Sequence, residues 1–234
     1  MSVKPSQYLH AVYRAFLSPA KPKRSYAQYG EDLLINLALS NGKAPGFYVD
    51  VGCHHPRRGS NTYGLYRNGW RGLLIDVEEV KVLACQLRRR RDRAVVAAVS
   101  DREHDAAIYS PGTFSTNTTL NLSSVARPDL YRLVGHTVTT TLTRLLDDHH
   151  VPPDFELLSV DVEGMDYEVI KGLDLQRYKP HVICIENWEA RKGIEAVLSS
   201  AMHRLLTERC YSLSGWAGLS TIYKRVPENM GAGG

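Results

Sequence analysis

Short, almost uninterrupted apolar runs recur along this chain: Phe47-Tyr48-Val49-Asp50-Val51-Gly52, Leu73-Leu74-Ile75-Asp76, Ala94 to Val99, Leu157-Leu158-Ser159-Val160-Asp161 and Val182-Ile183-Cys184-Ile185-Glu186. Each is short and rich in aliphatic and β-branched residues, which predicts a strand buried on both faces. Between them lie stretches with helical spacing of apolar positions, at Thr62 to Asn68, Glu79 to Arg91, Leu142 to His149 and Tyr167 to Leu173. Strands alternating with amphipathic helices predict an α/β domain whose parallel sheet carries helices on both faces. A further helix is predicted from Gln28 to Leu39, ending at Asn41-Gly42 as a C-terminal cap. A last helix near Ile194 to Arg209 precedes Tyr211 to Leu213 and Thr221 to Val226, which read as a closing hairpin.

The ends differ in texture. Tyr8, Leu9, Val12, Tyr13 and Phe16 recur at helical spacing before a Pro/Lys-rich stretch, so residues 1–25 read as a helix and linker. Residues 26–226 form the expected domain and 227–234 a flexible tail. Asp101 to Val138 breaks the alternation and is rich in Ser, Thr and Asn. It reads either as an insertion beside the active site or as a polar surface loop.

Composition narrows the partners. With 43% hydrophobic and 23% charged residues the chain has the make-up of a globular domain rather than a disordered one. The net charge of +4 is partly concentrated in Arg88 to Arg91, which read as a solvated helix end with basic residues suited to the dipole. No nucleic-acid partner is expected from that run alone. Cys53, Cys85, Cys184 and Cys210 are scattered without a CxxC pair, which argues against a zinc ribbon and fits reduced thiols in the cytoplasm. No secretory signal is evident, and no run approaches the roughly 20 apolar residues of a membrane span.

Acids concentrate the chemistry. Asp50, Asp76, Asp161 and Glu186 each end, or lie just beyond, a predicted strand, where open α/β sheets bind their ligands. One such acid can cap the next helix; four facing one crevice are harder to explain that way. Gly52 allows the backbone a close approach to a ligand, and Asp76, 26 residues after Asp50, is spaced to hold ribose hydroxyls. A GxGxxG dinucleotide fingerprint is absent.

Asp50-Val51-Gly52, Ser60-Asn61-Thr62-Tyr63, Gly69-Trp70-Arg71-Gly72, Ile75-Asp76, Ala98-Val99-Ser100 and Ser159-Val160-Asp161-Val162-Glu163-Gly164 together resemble the FkbM-type methyltransferase family. Ser25 to Asp32 and His54-His55-Pro56 fit one of its branches, so the resemblance spans about Ser25 to Val226. It implies a Rossmann-like S-adenosylmethionine (SAM)-methyltransferase fold with a mostly parallel seven-stranded sheet. It also implies a cofactor site in which Asp50, Gly52 and Cys53 pass the methionine moiety, Asp76 binds the ribose, and Ala98, Val99 and Ser100 edge the adenine, with Asp161 beside them. Cys53-His54 and Val77 stand where the family often has Ala-Asn and Pro.

A hydroxyl acceptor needs alignment and proton removal. Asp161, Glu186 and Asn187 resemble the set with which catechol-type O-methyltransferases hold a divalent ion, so Mg2+ is one arrangement. Direct hydrogen bonding by these acids is the other. His54, His55 and Glu163 are further candidate bases, each with a plainer structural role as the alternative, and Trp188 is a candidate platform for the acceptor. The expectation is an O-methyltransferase of a sugar, oligosaccharide or related polyol. A SAM-dependent N- or protein methyltransferase and a non-catalytic SAM-binding module stay open. A homodimer through the N-terminal helix is a further expectation.

Overall fold

The computed structural model describes residues 4–17, 23–39, 45–112, 115 and 117–227. The expected cap at Asn41-Gly42 and all of the tail beyond Pro227 lie outside the described residues. Near the N-terminus, α1 (Pro5–Val12) runs on as a π-helical stretch, Tyr13–Leu17, and neither buries a residue.

A seven-stranded sheet forms the centre, from β1 (Phe47–Val51), β2 (Arg71–Asp76), β3 (Arg93–Val96), β7 (Leu157–Val160), β8 (Val182–Glu186), β9 (Tyr211–Ala217) and β10 (Ser220–Arg225). Their spatial order is β3-β2-β1-β7-β8-β10-β9, and β10 alone among them runs antiparallel to its neighbours. The chain therefore winds outward from β1 to β3, returns to lay β7 against β1, and winds outward the other way. That reversal between β1 and β7 is the switch point of an open α/β sheet, where loops diverge and leave a crevice.

Strand period explains the uninterrupted apolar runs. Val49, Val51, Leu73, Ile75, Leu158, Val160, Ile183 and Ile185 point into one core cluster with Leu142, Leu146, Val169, Ile170 and Leu206. Those hydrophobic partners belong to α5 (Leu142–Asp148), α6 (Asp166–Lys171) and α8 (Ala201–Glu208). The alternate residues Tyr48, Leu74, Leu157, Val182 and Cys184 enter a second cluster on the other face. There they meet α2 (Glu31–Ala38), α3 (Tyr63–Arg67) and α4 (Glu79–Arg88). A strand with both faces covered has no polar side to alternate with.

Three local expectations need correction. The strand read from Ala94 to Val99 breaks at Ala97, whose N–H turns to the Asp76 carbonyl (3.0 Å); its second part is β4 (Ala98–Ser100), in a separate three-stranded sheet. The helix read from Ile194 to Arg209 divides at Ser200, which is extended and caps α8 after α7 (Ile194–Ser199). Arg88 to Arg91 are a solvated end only in part: Arg88, Arg90 and Arg91 are exposed, Arg91 lying 4.1 Å over the Tyr66 ring, but Arg89 is fully buried.

The described residues of the segment from Asp101 to Val138 are structured. It holds β5 (Asp105–Ser110) and the start of β6 (Arg132–Thr141), which pair antiparallel, while β4 pairs parallel with β6. Some of its polar residues tie it to the rest of the domain, as Thr119 and Ser124 do at the carbonyl of Glu163 (2.8 and 3.5 Å).

Gly72 shows how tightly β2 lies on β1. A Cβ there would stand 2.2 Å from the Tyr48 carbonyl oxygen and from its ring. Backbone in a central strand cannot retreat, so Gly72→Ala is expected to cost roughly 2–3 kcal/mol of stability, the upper range for overpacking. Urea denaturation followed by circular dichroism measures it.

Candidate active site

A cleft of about 780 Å³ opens beyond the carboxyl ends of β1, β2, β7 and β8, the volume of a site for a cofactor with its acceptor. Its floor is acidic, with Asp50, Asp76, Asp161, Glu163 and Glu186 lining it. The 101–138 insertion supplies one wall through residues that include Thr118, Leu120, Val125, Arg127 and Tyr131. Of the two readings of that segment, the structure therefore supports the one beside the site.

The first loop is held by backbone contacts. Gly52 has φ +83°, and a Cβ there would lie 1.8 Å from the Asp161 carbonyl oxygen, so the turns after β1 and β7 touch directly. Cys53 lines the cleft with its backbone, while its Sγ sits 3.8 Å from that of Cys85 beneath. Asp50, within β1, accepts a 2.5 Å hydrogen bond from Thr62 Oγ1. Asp76, the last residue of β2, accepts from the His54 and Glu78 N–H groups at 2.9 and 3.0 Å. Burial pushes up the pKa of Asp76, and nearby Lys81 and those two N–H groups oppose the rise.

The expected adenine edge is partly rearranged. Ala97, Ala98 and Val99 line the cleft, but Ser100 is buried and points elsewhere, its Oγ 3.5 Å from Asp101 and its carbonyl against Gly172.

The two histidines also separate. His54 lines the cleft with φ +41°, and its Nδ1 is buried without a hydrogen-bond partner. Burial, then Lys81, holds its pKa below the usual histidine range, so the ring is neutral at pH 7. His55 does not reach the cleft lining; its Nδ1 accepts from the N–H groups of Arg57 and Arg58 (3.0 and 2.9 Å) and serves the turn.

At the floor, Asp161 is exposed to the cleft, yet the protein around it and the charges of Glu186, Asp166 and Glu163 push its pKa well upward. Glu163, at φ +53°, is raised to about 7 by burial and by Glu186. Asp166 was not singled out in the sequence. Buried behind the floor, it accepts from the Val162 and Gly164 N–H groups (3.0 and 3.3 Å), and burial raises it to about 8. Its only sequence signal was its place three residues after Glu163, where a helix begins.

Glu186 accepts a 2.9 Å hydrogen bond from Trp188 Nε1, and Arg191 lies 4.1 Å from the centre of the Trp188 ring. Glu186, Trp188 and Arg191 thus form one side of the mouth. Asn187 does not join them. It is buried, its Oδ1 accepts from the Glu189 N–H (3.1 Å) to cap the short 3-10 helix Trp188–Lys192, and its Nδ2 donates to Ser200 (3.3 Å). Among the described residues no three His, Cys, Asp or Glu side chains come together to hold a metal ion. Of the expected set, Asp161 and Glu186 line the cleft, whereas Asn187 is committed to that cap and is not among the lining residues.

A doubly wound sheet with an acid-floored cleft at its switch point defines the class, a Rossmann-like nucleoside-cofactor domain. The model of the methyltransferase FkbM domain matches residues 50–213, more than half of the chain. The chain belongs to this family and is a SAM-dependent methyltransferase. No curated protein matches the sequence. Similar solved structures include a TehB-like SAM-dependent methyltransferase from Corynebacterium glutamicum ATCC 13032 Kitasato, 13% identical, covering 94% of this chain and 98% of that one at a TM-score of 0.43. A methyltransferase from Geobacter sulfurreducens is 14% identical, with 97% and 91% covered and a TM-score of 0.45. An O-methyltransferase from Bacillus cereus in complex with SAH (S-adenosylhomocysteine) is 13% identical, with 97% and 93% covered and a TM-score of 0.46.

The residues fit this cofactor. The close Gly52 turn, the oriented Asp76 carboxylate and His54 line one cleft, and its acids suit a cation. SAM carries a sulfonium charge that SAH lacks, so only SAM favours the ionised floor acids. A carboxylate titrating at about 7 passes from mostly protonated at pH 6 to mostly ionised at pH 8, while one titrating at about 8 has lost about half its protons by pH 8. The affinity for SAM relative to SAH is thus expected to climb between pH 6 and 8, by up to about tenfold per pH unit for each coupled proton. Calorimetric titration with both ligands at several pH values checks this; a flat ratio would separate these acids from the sulfonium.

Proposed function

We propose that this enzyme transfers the methyl group to a hydroxyl oxygen of a sugar, oligosaccharide or related polyol. One observation carries the reading: Asp161, Glu163, Glu186 and the indole of Trp188 line the same cleft. Ionised carboxylates accept hydrogen bonds and donate none, which suits a surface of hydroxyl donors. A Trp side chain offers a flat apolar body with a polar handle, which suits the C–H face of a sugar ring. The Trp188 N–H is already held by Glu186, which fixes the ring beside the acids.

In this reading Asp50, Gly52, Cys53 and Asp76 hold the cofactor, with Val99 at its adenine edge. When bound, the cofactor supplies an activated methyl group on sulfur. Glu163 accepts the proton of the acceptor hydroxyl, because a base titrating at about 7 combines availability with driving force at neutral pH. Asp161 orients that hydroxyl from the floor. His54 stands on the cofactor side and shapes the cleft there. No step is routed through a metal, since Asn187 is committed to its cap.

Glu163→Gln keeps the size of the side chain and removes its basicity. Its kcat on a responsive glycan is expected to fall by about a hundredfold or more, while the Kd for SAH stays within about threefold. Asp161→Ala is expected to abolish turnover with SAH binding similarly retained. A panel of hydroxylated glycans and matched amines, read by mass spectrometry of the methylated product, tests the acceptor. Methyl found on nitrogen alone, or full turnover by folded Glu163→Gln, would overturn the proposal.

A further inference from the structure

Beneath the cofactor loop lies a buried polar network that the proposed chemistry does not use. Arg89, just after α4, is fully buried. Its Nε pairs with Asp92 Oδ2 at 2.7 Å, and its Nη2 donates to Tyr48 OH at 2.7 Å and to Thr62 Oγ1 at 3.0 Å. Its Nη1 lies 3.4 Å from Ser60 Oγ. Asp92 also accepts from Tyr48 OH (2.7 and 2.6 Å) and from the Gly72 N–H (2.9 Å). The network ends at Asp50, whose Oδ2 is 2.5 Å from Thr62 Oγ1.

Proton counting sets its direction. A guanidinium only donates. Thr62 Oγ1 must accept from Arg89, so its single proton goes to Asp50; Tyr48 OH likewise accepts from Arg89 and gives its proton to Asp92. Both hydroxyls are thereby oriented by one cation. Asp50 Oδ2 is committed as an acceptor, and no hydrogen bond from the described residues reaches Oδ1 of this cleft-lining carboxylate.

We infer that Arg89 is a positioning residue for the cofactor: through Thr62 it orients Asp50, favours its carboxylate form and leaves one carboxylate oxygen free for the ammonium at the amino-acid end of SAM and SAH. The assignment rests on the cofactor reading above. Burial raises the pKa of Asp50 above the ordinary carboxylate value, and Arg89, then Thr62, limit that rise. The other groups facing Asp50 oppose ionisation: Asp76 from β2, Asp92 from the turn after α4, Asp161 from the turn after β7, and the Cys53 and Cys184 thiols when ionised. Among the described residues named as acting on Asp50, Arg89 is the one cation.

SAH is the probe, because it carries the ammonium without the sulfonium to which the floor acids respond. Thr62→Val keeps the shape and breaks the relay; Arg89→Met removes its source; Thr62→Ser restores the hydroxyl. Calorimetric titration from pH 5 to 8 is expected to show at least about tenfold weaker SAH binding by Thr62→Val at pH 7, as for losing a hydrogen bond to a charged group. As the pH falls, its affinity should collapse at a pH about one unit above the wild-type point, because Asp50 then takes a proton more readily. Thr62→Ser should return both values, which a merely structural role would not move together. If the wild type binds SAH and folded Thr62→Val shows the same affinity and pH profile, the relay is overturned and the cofactor reading stands. If the folded wild type fails to bind SAH and SAM at every pH, both fall together. Should Arg89→Met fail to fold, the Thr62 pair decides alone.

Discussion

The turn after β1 rests on the turn after β7, with the backbone of Gly52 packed on the carbonyl of Asp161. No side chain larger than hydrogen fits between them. This contact brings the cofactor loop and the acid floor within one cleft, although the two segments are more than a hundred residues apart in the chain. It exists because β1 and β7 are parallel neighbours in register, Val51 opposite Val160, at the point where the winding of the sheet reverses. The apolar clusters on the two faces hold those strands together and leave the loops beyond them free to carry polar groups.

Those polar groups fall into two electrostatic sets. One is the acid floor, where Glu186 raises the proton affinity of Asp161, Glu163 and Asp166 and no arginine or lysine forms an ion pair with them among the described residues. Such a set is costly in an empty protein and pays off when a cation arrives. The other lies beneath the loop, where Arg89 is the internal counter-charge for Asp92 and Asp50. A fully buried guanidinium persists only where its donors are matched, and Tyr48, Thr62 and Asp92 match them. The two sets meet at Asp50, which also adds to the field at Asp161.

Most of the architecture was legible because strand and helix periods differ and because strands covered on both faces have a distinctive composition. The positions of Asp50, Asp76, Asp161 and Glu186 at one end of the sheet followed from the same pattern. Orientation was not legible. Ser100 and His55 have residue types suited to a site, yet one is buried outside the cleft lining and a turn consumes the other. Asn187 looked like a ligand in the chain, but a helix starting at the next residue claims its carboxamide.

Sequence by itself determined the doubly wound sheet, the family and the acid-rich end of the strands, since these depend on short-range periodicity and on motifs local to a strand and its loop. Only the tertiary structure decided that the 101–138 segment walls the cleft, that Arg89 is buried rather than solvated, and that Asp166 joins the acid cluster. Each of these depends on contacts between residues far apart in the chain or on which way a side chain turns. A run of four arginines reads the same whether its second member meets water or three hydrogen-bond acceptors. Burial depends on what the rest of the fold places there.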